Sequence, residues 1–209
     1  MQFHLWLTFV AAAVVLLALP GPTTLAVVGC SATHGKRATA PLVTGVALGD
    51  ATALFVSLAG LGTLLATSES WFSFAKWAGG LYLLALGAKM LLTSASAVKS
   101  VVAPPPTSSW RLLLSAYTVT ALNPKGIVFF VAFLPQFISP TAPASPQLWT
   151  LGLTFVVLAA VNATLYVSFA GFARGALESP LAQRRFHLLG GLFLCGAGVW
   201  ALMARRPAL

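Results

Sequence analysis

The sequence predicts an all-α integral membrane protein with six transmembrane helices, arranged as two inverted three-helix repeats in which helices 1 and 4 are broken at proline. Three observations predict this fold class. The 209 residues are 58% hydrophobic and only 7% charged, whereas a soluble domain carries about 25% charged residues. Apolar runs divide the chain into six segments, and proline interrupts the first and the fourth near the middle.

Each apolar segment is long enough to cross a bilayer, since a spanning helix needs about 20 mostly apolar residues. The mean hydropathy of the whole chain, +0.91, agrees with a membrane protein. We predict the six helices over residues 3–29, 39–66, 70–92, 111–138, 148–173 and 184–204.

The proline breaks read Leu19-Pro20-Gly21-Pro22 in helix 1 and Leu122-Asn123-Pro124-Lys125 in helix 4. A proline within a helix removes a backbone donor and clashes with the preceding turn. In lipid such a break survives only where protein or a water-filled cavity satisfies the freed polar groups. Paired breaks in two halves of a chain are typical of transporters built from repeats, with the solute site near the bilayer midplane.

The chain is predicted to be a single membrane domain, 1–209, made of two repeats. The first repeat covers 1–92 and the second 110–209, and a cytoplasmic linker, 93–109, rich in Ser and Pro, joins them. Each half begins with a broken helix, continues with a helix that carries a polar residue in mid-membrane (Asp50 or Asn162), and ends with a Gly-rich helix. An odd number of helices per half inverts the second half relative to the first.

Basic residues indicate the orientation of the chain. They follow helix 1, lie in and beside the central linker and follow helix 5, whereas the gaps after helices 2 and 4 contain none. Only Arg205 and Arg206, at the carboxyl end, indicate the opposite orientation. The positive-inside rule therefore places both termini outside the cytoplasm. The net charge of +9 is explained by these topology signals, and nucleic-acid binding is not expected. The residues concerned are Lys36, Arg37, Lys89, Lys99, Arg111, Arg174, Arg184 and Arg185.

Three ionisable residues fall well inside the segments, away from their ends: Asp50, Lys76 and Lys125. Asp50 and Lys125 lie about 18 and 21 Å along their helices at 1.5 Å per residue, near the middle of a hydrocarbon core of about 30 Å. A charge at that depth normally faces a partner or a cavity. We expect both in the site, although an interhelical hydrogen bond of Asp50 is an alternative. Lys76 is a secondary candidate because its long stem can reach water from nearer the helix end.

Two asparagines have structural and functional interpretations that the sequence leaves open. Asn123 precedes Pro124 and can either cap the restarted helix or contact the substrate. Asn162 can either bond between helices or line the pathway, and it is the other secondary candidate.

Metal ions, cofactors and catalysis are not expected. Metal sites in helices usually combine several Asp, Glu, His or Cys ligands, and Asp50 has none nearby in the sequence. An intramembrane aspartyl protease would need two acids that share a proton. A metal-ion or other small-solute exporter or channel on the same scaffold remains the alternative to amino-acid transport.

The two proline motifs, Gly45-x-x-x-Gly49-Asp50, Lys76-Trp77-Ala78-Gly79-Gly80-x-Tyr82-Leu83 and Phe133-Leu134-Pro135-Gln136-Phe137 together resemble the LysE/RhtB family of amino-acid exporters, in the LysE superfamily. The likeness is strong over helices 1 to 4 and general over helices 5 and 6. The resemblance implies a bacterial inner-membrane protein that exports amino acids or close derivatives with the proton-motive force. Because Asp50 has no second intramembrane acid beside it, a neutral amino acid is favoured over a dibasic one.

A substrate that carries both a carboxylate and an ammonium suggests a division of roles. We expect the carboxylate near Lys125 and the backbone amides beside Pro20-Gly21-Pro22, where the amino end of a helix favours anions. The ammonium would approach Asp50, whose protonation would couple export to protons. The full set of predicted binding residues is Pro20, Gly21, Pro22, Asp50, Asn123, Pro124 and Lys125. Membrane lipid surrounds the protein, and a homodimer is left open.

Overall fold

The computed structural model describes residues 2–19, 21–67, 69–92, 108–139, 142–170 and 179–203, and these residues contain helices and no strand. The all-α prediction is therefore confirmed for this part of the chain. Pro20, most of the predicted linker and the predicted end of helix 5 lie outside the described residues, as does the side chain of Lys76.

Eight α-helices are described, and their bounds follow the six predicted segments. Predicted helix 1 corresponds to α1 and α2, and predicted helix 4 to α5 and α6. Segment 4 continues after α6 through a widened π turn, Phe129–Phe133, and a 3-10 turn, Leu134–Phe137. The helices are α1 Phe3–Ala18, α2 Pro22–His34, α3 Thr39–Thr67, α4 Glu69–Leu92, α5 Ser109–Ala121, α6 Pro124–Val128, α7 Ala144–Ser168 and α8 Pro180–Met203.

By length and composition, fewer than six of the described helices could cross a membrane. Gly35–Gly60 and Ala144–Ser168 can each cross a membrane alone, and counting each of two bent pairs as one span gives up to four. The apolar parts found in α4 and α8, Trp77–Leu92 and His187–Trp200, are shorter. Six spans therefore remain a prediction.

Both predicted helix breaks are present. The chain bends by 58° between α1 and Pro22–Ser31 and by 44° between α5 and Pro124–Phe137. At each break the chain leaves the helical conformation and starts a new helix with proline in its first turn. Proline is favoured there because its missing N–H is one that a helix start leaves unpaired, and its fixed φ suits the helix.

The helix α3 lies between α5 and α7 and contacts both. Its contact with α5 depends on Gly45 and Gly49, because a Cβ at either position would come within 3.0 Å of the α5 backbone. Close approach through glycine is typical of helix pairs in membranes, and this contact sets the position of Asp50, the next residue.

Helices α4 and α8 form a second pair and pack against each other along their length, through the Gly-rich surfaces that the sequence predicts. Gly80, Gly191 and Gly198 lie in this contact, where an added Cβ would meet the opposite helix.

A cluster of aromatic rings around the π turn fills the space between α1, α7 and α8, which explains how the wide turn is buried. The rings are Phe9, Phe129, Phe130, Phe133, Phe137, Phe155 and Trp200.

Candidate functional site

A small cavity lies between the two helix breaks. Its volume is about 40 Å³, and about 10–15 Å³ of such space holds one water molecule. Helices α1, α2, α3 and α7 and the α5–α6 break all contribute to its wall. The polar lining residues are Thr23, Thr24, Asp50, Asn123, Lys125, Asn162 and Tyr166, and the apolar ones include Leu16, Val27, Val46, Phe155, Ala159 and Ala163.

The Lys125 side chain crosses from α6 to the carboxyl end of α1. Its Nζ atom donates hydrogen bonds to the carbonyl oxygens of Leu16 and Leu19, at 3.0 and 3.1 Å. The last carbonyls of a helix have no partner within the helix, and they carry the negative end of its dipole. The ammonium therefore satisfies backbone groups that the break in segment 1 exposes.

Two side chains of α7 complete this arrangement. The Asn162 Nδ2 atom donates to the Leu17 carbonyl at 3.3 Å, and the Tyr166 hydroxyl donates to the Ala18 carbonyl at 3.1 Å. Together with Lys125, they give each carbonyl from Leu16 to Leu19 a side-chain donor. We call Lys125, Asn162 and Tyr166 the donor set.

At the opposite side of the cavity, Asn123 joins the two breaks. Its side-chain oxygen accepts a hydrogen bond from the Lys125 backbone N–H at 3.1 Å, which caps the start of α6. Its Nδ2 atom donates to the Thr23 hydroxyl of α2 at 3.1 Å. Asn123 thus has the capping contact that the sequence suggested, and it also faces the cavity.

Asp50 is 6% exposed and faces the same cavity from α3. Among the described residues, no hydrogen bond reaches its carboxyl group, and the charge that acts on it is that of Lys125. Gly126 borders this carboxyl group, since a Cβ at that position would lie in ordinary contact with it, 3.9 Å from Asp50 Oδ1. The two opposite charges therefore interact across the cavity, while the Lys125 ammonium bonds to carbonyls.

The predicted site residues fall into two groups. Asp50, Asn123, Lys125 and Asn162 line one cavity. Gly21 lies beside them, because a Cβ at this residue would lie 3.4 Å from Lys125 Nζ. By contrast, Pro22 and Pro124 are exposed and act on the site only through the breaks that they start.

Sequence reasoning missed Tyr166, Thr23 and Thr24. Tyr166 lies four residues after Asn162, and residues at that spacing share a helix face. This spacing was the available signal. Thr23 and Thr24 follow the Pro22 break and belong to the first turn of α2. Their position directly after the break could have identified them as site residues. In the described part of the chain, no group of three or more His, Cys, Asp or Glu could hold a metal ion.

The broken helices and the charged cavity between them define a helical membrane protein of the transporter class. The chain belongs to the family of LysE type translocators, whose sequence model matches residues 14–205. The resemblance noted above is therefore confirmed, and the members of this family are transporters.

Several relatives are similar over most of the chain. An uncharacterized membrane protein of Vibrio cholerae is 31% identical, covering 98% of this chain and 100% of the relative. A homoserine/homoserine lactone efflux protein of Salmonella typhi is also 31% identical, covering 98% of each chain. A leucine efflux protein of Klebsiella pneumoniae is 34% identical, covering 78% of this chain and 76% of the relative. No solved structure gives a significant match.

Proposed function

We propose that this protein is a secondary active exporter of a neutral amino acid or a close derivative, in the inner membrane of a bacterium. The observation that carries the proposal is the pair of opposite charges, Asp50 and Lys125, on one buried cavity between two helix breaks. An amino acid also carries one positive and one negative charge at short separation. The named efflux substrates of the relatives, leucine and homoserine or its lactone, belong to this class.

The charges give the substrate an orientation. Its carboxylate would lie near Lys125 and near the first amides of α2, in Thr23 and Thr24, where the helix dipole favours an anion. Its ammonium would approach Asp50, whose carboxyl group has no hydrogen bond to another described residue. The cavity in this structure is smaller than an amino acid, so substrate entry requires that one wall move.

Asp50 would also carry the coupling proton. An ammonium and a proton compete for the same carboxylate, because each neutralises it. Protonation from the outer side would weaken the hold on the substrate and release it, and deprotonation on the inner side would restore binding. Among the side chains that the structure describes, Asp50 is the acid that lines the cavity.

Six spans in two inverted repeats are part of the proposal. Helices α4 and α8 each have 24 residues, or about 36 Å at 1.5 Å per residue, against a core of about 30 Å. A two-fold exchange of the halves would convert the α3–α5 contact into the α7–α1 contact, and α3–α7 and α4–α8 would map onto themselves. All four contacts are present. With the basic residues placed inside, both termini would lie outside the cytoplasm.

The experiment is counterflow in proteoliposomes. Vesicles containing the purified protein and loaded with unlabelled L-leucine or L-homoserine should accumulate the labelled amino acid above protein-free vesicles. The alternative function, metal-ion export, is distinguished by the growth of overexpressing cells on toxic levels of amino acids, cadmium and manganese. Protection against a metal alone, with no counterflow of any amino acid, would replace amino-acid export by metal export.

Proton coupling is tested with Asp50→Asn, which keeps the size of the side chain and removes its charge. We expect transport driven by a pH gradient to fall at least about tenfold. Glu69→Gln, which changes an acid at the start of α4, is the matched control and should transport at the wild-type rate. If the Asp50→Asn variant transports at the wild-type rate, Asp50 does not couple export to protons.

A further inference from the structure

The two helix breaks differ in how their first halves end. At the carboxyl end of α5, the carbonyls of Thr118 and Thr120 accept backbone N–H groups from Leu122 and Asn123. At the carboxyl end of α1, the Leu19 N–H bonds the carbonyls of Val15 and Leu16 in the same way. Here, in addition, the carbonyls from Leu16 to Leu19 accept side chains from the other half of the chain. The α1 end is thus held by the donor set, across a contact that can open without unwinding a helix.

The same three side chains also line the cavity. Lys125, Asn162 and Tyr166 each bond to α1 and each contribute to the cavity wall, next to Leu16 and Leu17. With a volume of about 40 Å³, the cavity admits an amino acid only if a wall withdraws. The wall between α3 and α5 is fixed by close contact of backbones at Gly45 and Gly49, whereas hydrogen bonds to α1 can be exchanged for bonds to another acceptor.

We propose that the donor set is the binding site for the substrate carboxylate and that the carboxylate binds by displacing the α1 carbonyls from it. The inference deepens the proposed function and depends on it. It adds Tyr166 as a residue that contacts the substrate, and it makes release of the α1 end a consequence of substrate binding.

The chemistry favours this exchange. Hydrogen bonds in which one partner is ionised are roughly twice as strong as those between neutral groups. Asn162 and Tyr166 therefore gain when a carboxylate replaces a carbonyl, and the Lys125 ammonium exchanges a neutral acceptor for one of opposite charge. A carboxylate offers about four lone-pair positions on two oxygens, so it can accept all three donors at once. Since the carboxylate and the α1 end need the same donors, they exclude each other. A ligand that binds only one arrangement shifts the equilibrium toward it, and here the shift frees α1 to move.

The test compares an amino acid with its amino alcohol, which lacks the carboxylate. Counterflow of labelled L-leucine is inhibited by unlabelled L-leucine or L-leucinol, and the two inhibition constants are measured for the wild type, Tyr166→Phe and Tyr117→Phe. If the wild type moves L-homoserine instead, L-homoserine and its amino diol take their places. Tyr117 is the matched control because its hydroxyl bonds Thr52 between α5 and α3 at 3.4 Å, away from the cavity lining.

We expect Tyr166→Phe to raise the inhibition constant of the amino acid about tenfold to a hundredfold, the usual effect of losing one hydrogen bond to a charged group. The constant of the amino alcohol should stay within about twofold, and Tyr117→Phe should change neither. A hydroxyl with only a structural role would change both constants in the same proportion, which would overturn the inference.

Asn162→Leu, which keeps the approximate shape and removes the donor, provides a second variant if Tyr166→Phe is not produced. Its ratio of the two constants should move in the same direction. Wild-type counterflow with an unchanged ratio in both variants would overturn this inference alone. No counterflow by the wild type with any amino acid would overturn the proposed function and, with it, this inference.

Discussion

At the scale of single residues, Lys125 has two electrostatic tasks. Its ammonium bonds the carbonyls of Leu16 and Leu19, and its charge acts on Asp50 across the cavity. Removing one member of a buried charge pair is costly because the other charge is left uncompensated. The two tasks can be separated by changing Lys125 and Asp50 singly and together.

We predict that Lys125→Met lowers stability strongly. It removes the side-chain donor of the Leu19 carbonyl, leaves the Leu16 carbonyl with the Leu19 N–H alone, and leaves Asp50 without its counter-charge. Unpaired buried groups cost about 1–3 kcal/mol each. Asp50→Asn should have a smaller effect, since the bonds from Lys125 to α1 remain. The double variant should recover part of the loss in Lys125→Met. The measurement is the apparent melting temperature, in one detergent, of the purified wild type, the two single variants and the double variant.

This prediction is contradicted if the losses of stability in the two single variants add up to the loss in the double variant. Coupled neighbours usually differ from additivity by about 0.5–3 kcal/mol. A double variant that loses the sum of the two single losses would show that Lys125 and Asp50 do not interact. Lys36→Met, at an exposed position before α3, should change nothing and controls for the loss of a lysine in general.

At the scale of helices, glycine determines how near Asp50 comes to the breaks. A Cβ at Gly49 would lie 2.7 Å from Thr120 Cβ, 2.9 Å from the Tyr117 carbonyl and 3.0 Å from the Ala121 nitrogen. Because two of these atoms belong to the backbone of α5, a side-chain rotation cannot relieve the contact. The helices would have to separate, and Asp50 would move with α3.

We predict that Gly49→Ala destabilises the protein by about 1–3 kcal/mol, the usual range for overpacking, and that it reduces counterflow. Gly196→Ala is the matched control, because a Cβ there meets nothing within 4 Å. Alanine otherwise favours a helix over glycine, so the control should be as stable as the wild type or more stable. Equal melting temperatures for both variants would show that α3 and α5 do not require this close approach.

The start of α7 depends on Gln147, which is 3% exposed. Its side-chain oxygen accepts the Ser139 N–H at 2.9 Å, and its Nε2 atom donates to the carbonyls of Ser139, Ala142 and Pro143. One side chain thus satisfies four backbone groups where segment 4 ends and α7 begins. Sequence reasoning did not single out this residue.

We predict that Gln147→Leu and Gln147→Glu both lower the apparent melting temperature. Leucine removes all four hydrogen bonds, and a carboxylate keeps the acceptor for the Ser139 N–H but faces three carbonyl oxygens without a donor. Limited proteolysis should also cut the leucine variant faster near residues 138–143. A Gln147→Leu protein with wild-type stability would mean that these backbone groups find other partners.

At the scale of the whole molecule, the orientation of the chain follows from charge and can be tested directly. We predict that a cysteine at Lys36 reacts with a membrane-impermeant maleimide from the cytoplasmic side and a cysteine at Ser145 from the outside. Both positions are exposed. The measurement compares intact cells with inside-out vesicles, in a background where Cys30 and Cys195 are replaced by alanine. Labelling of both positions from one side would contradict the proposed spans between them.

Much of the fold could be predicted from the sequence, because apolar length and proline chemistry act locally. A run of about 20 apolar residues forms a helix in lipid whatever its neighbours are. Proline starts a new helix wherever it interrupts one, and both breaks are present at the predicted motifs. The charged residues of the candidate site were also visible, since Asp50 and Lys125 are costly in a membrane.

The partners of those residues could not be predicted, because they depend on which helix faces which. The amino-acid sequence by itself determined the helices, the breaks, the family and the two buried charges. Only the tertiary structure decided that Lys125 bonds the carbonyls of α1, that Asn162 and Tyr166 join it from α7, and that Asp50 faces them across a small cavity. The physical reason is that the hydrogen bonds to α1 join residues more than 100 positions apart in the chain, and packing alone brings them and Asp50 together.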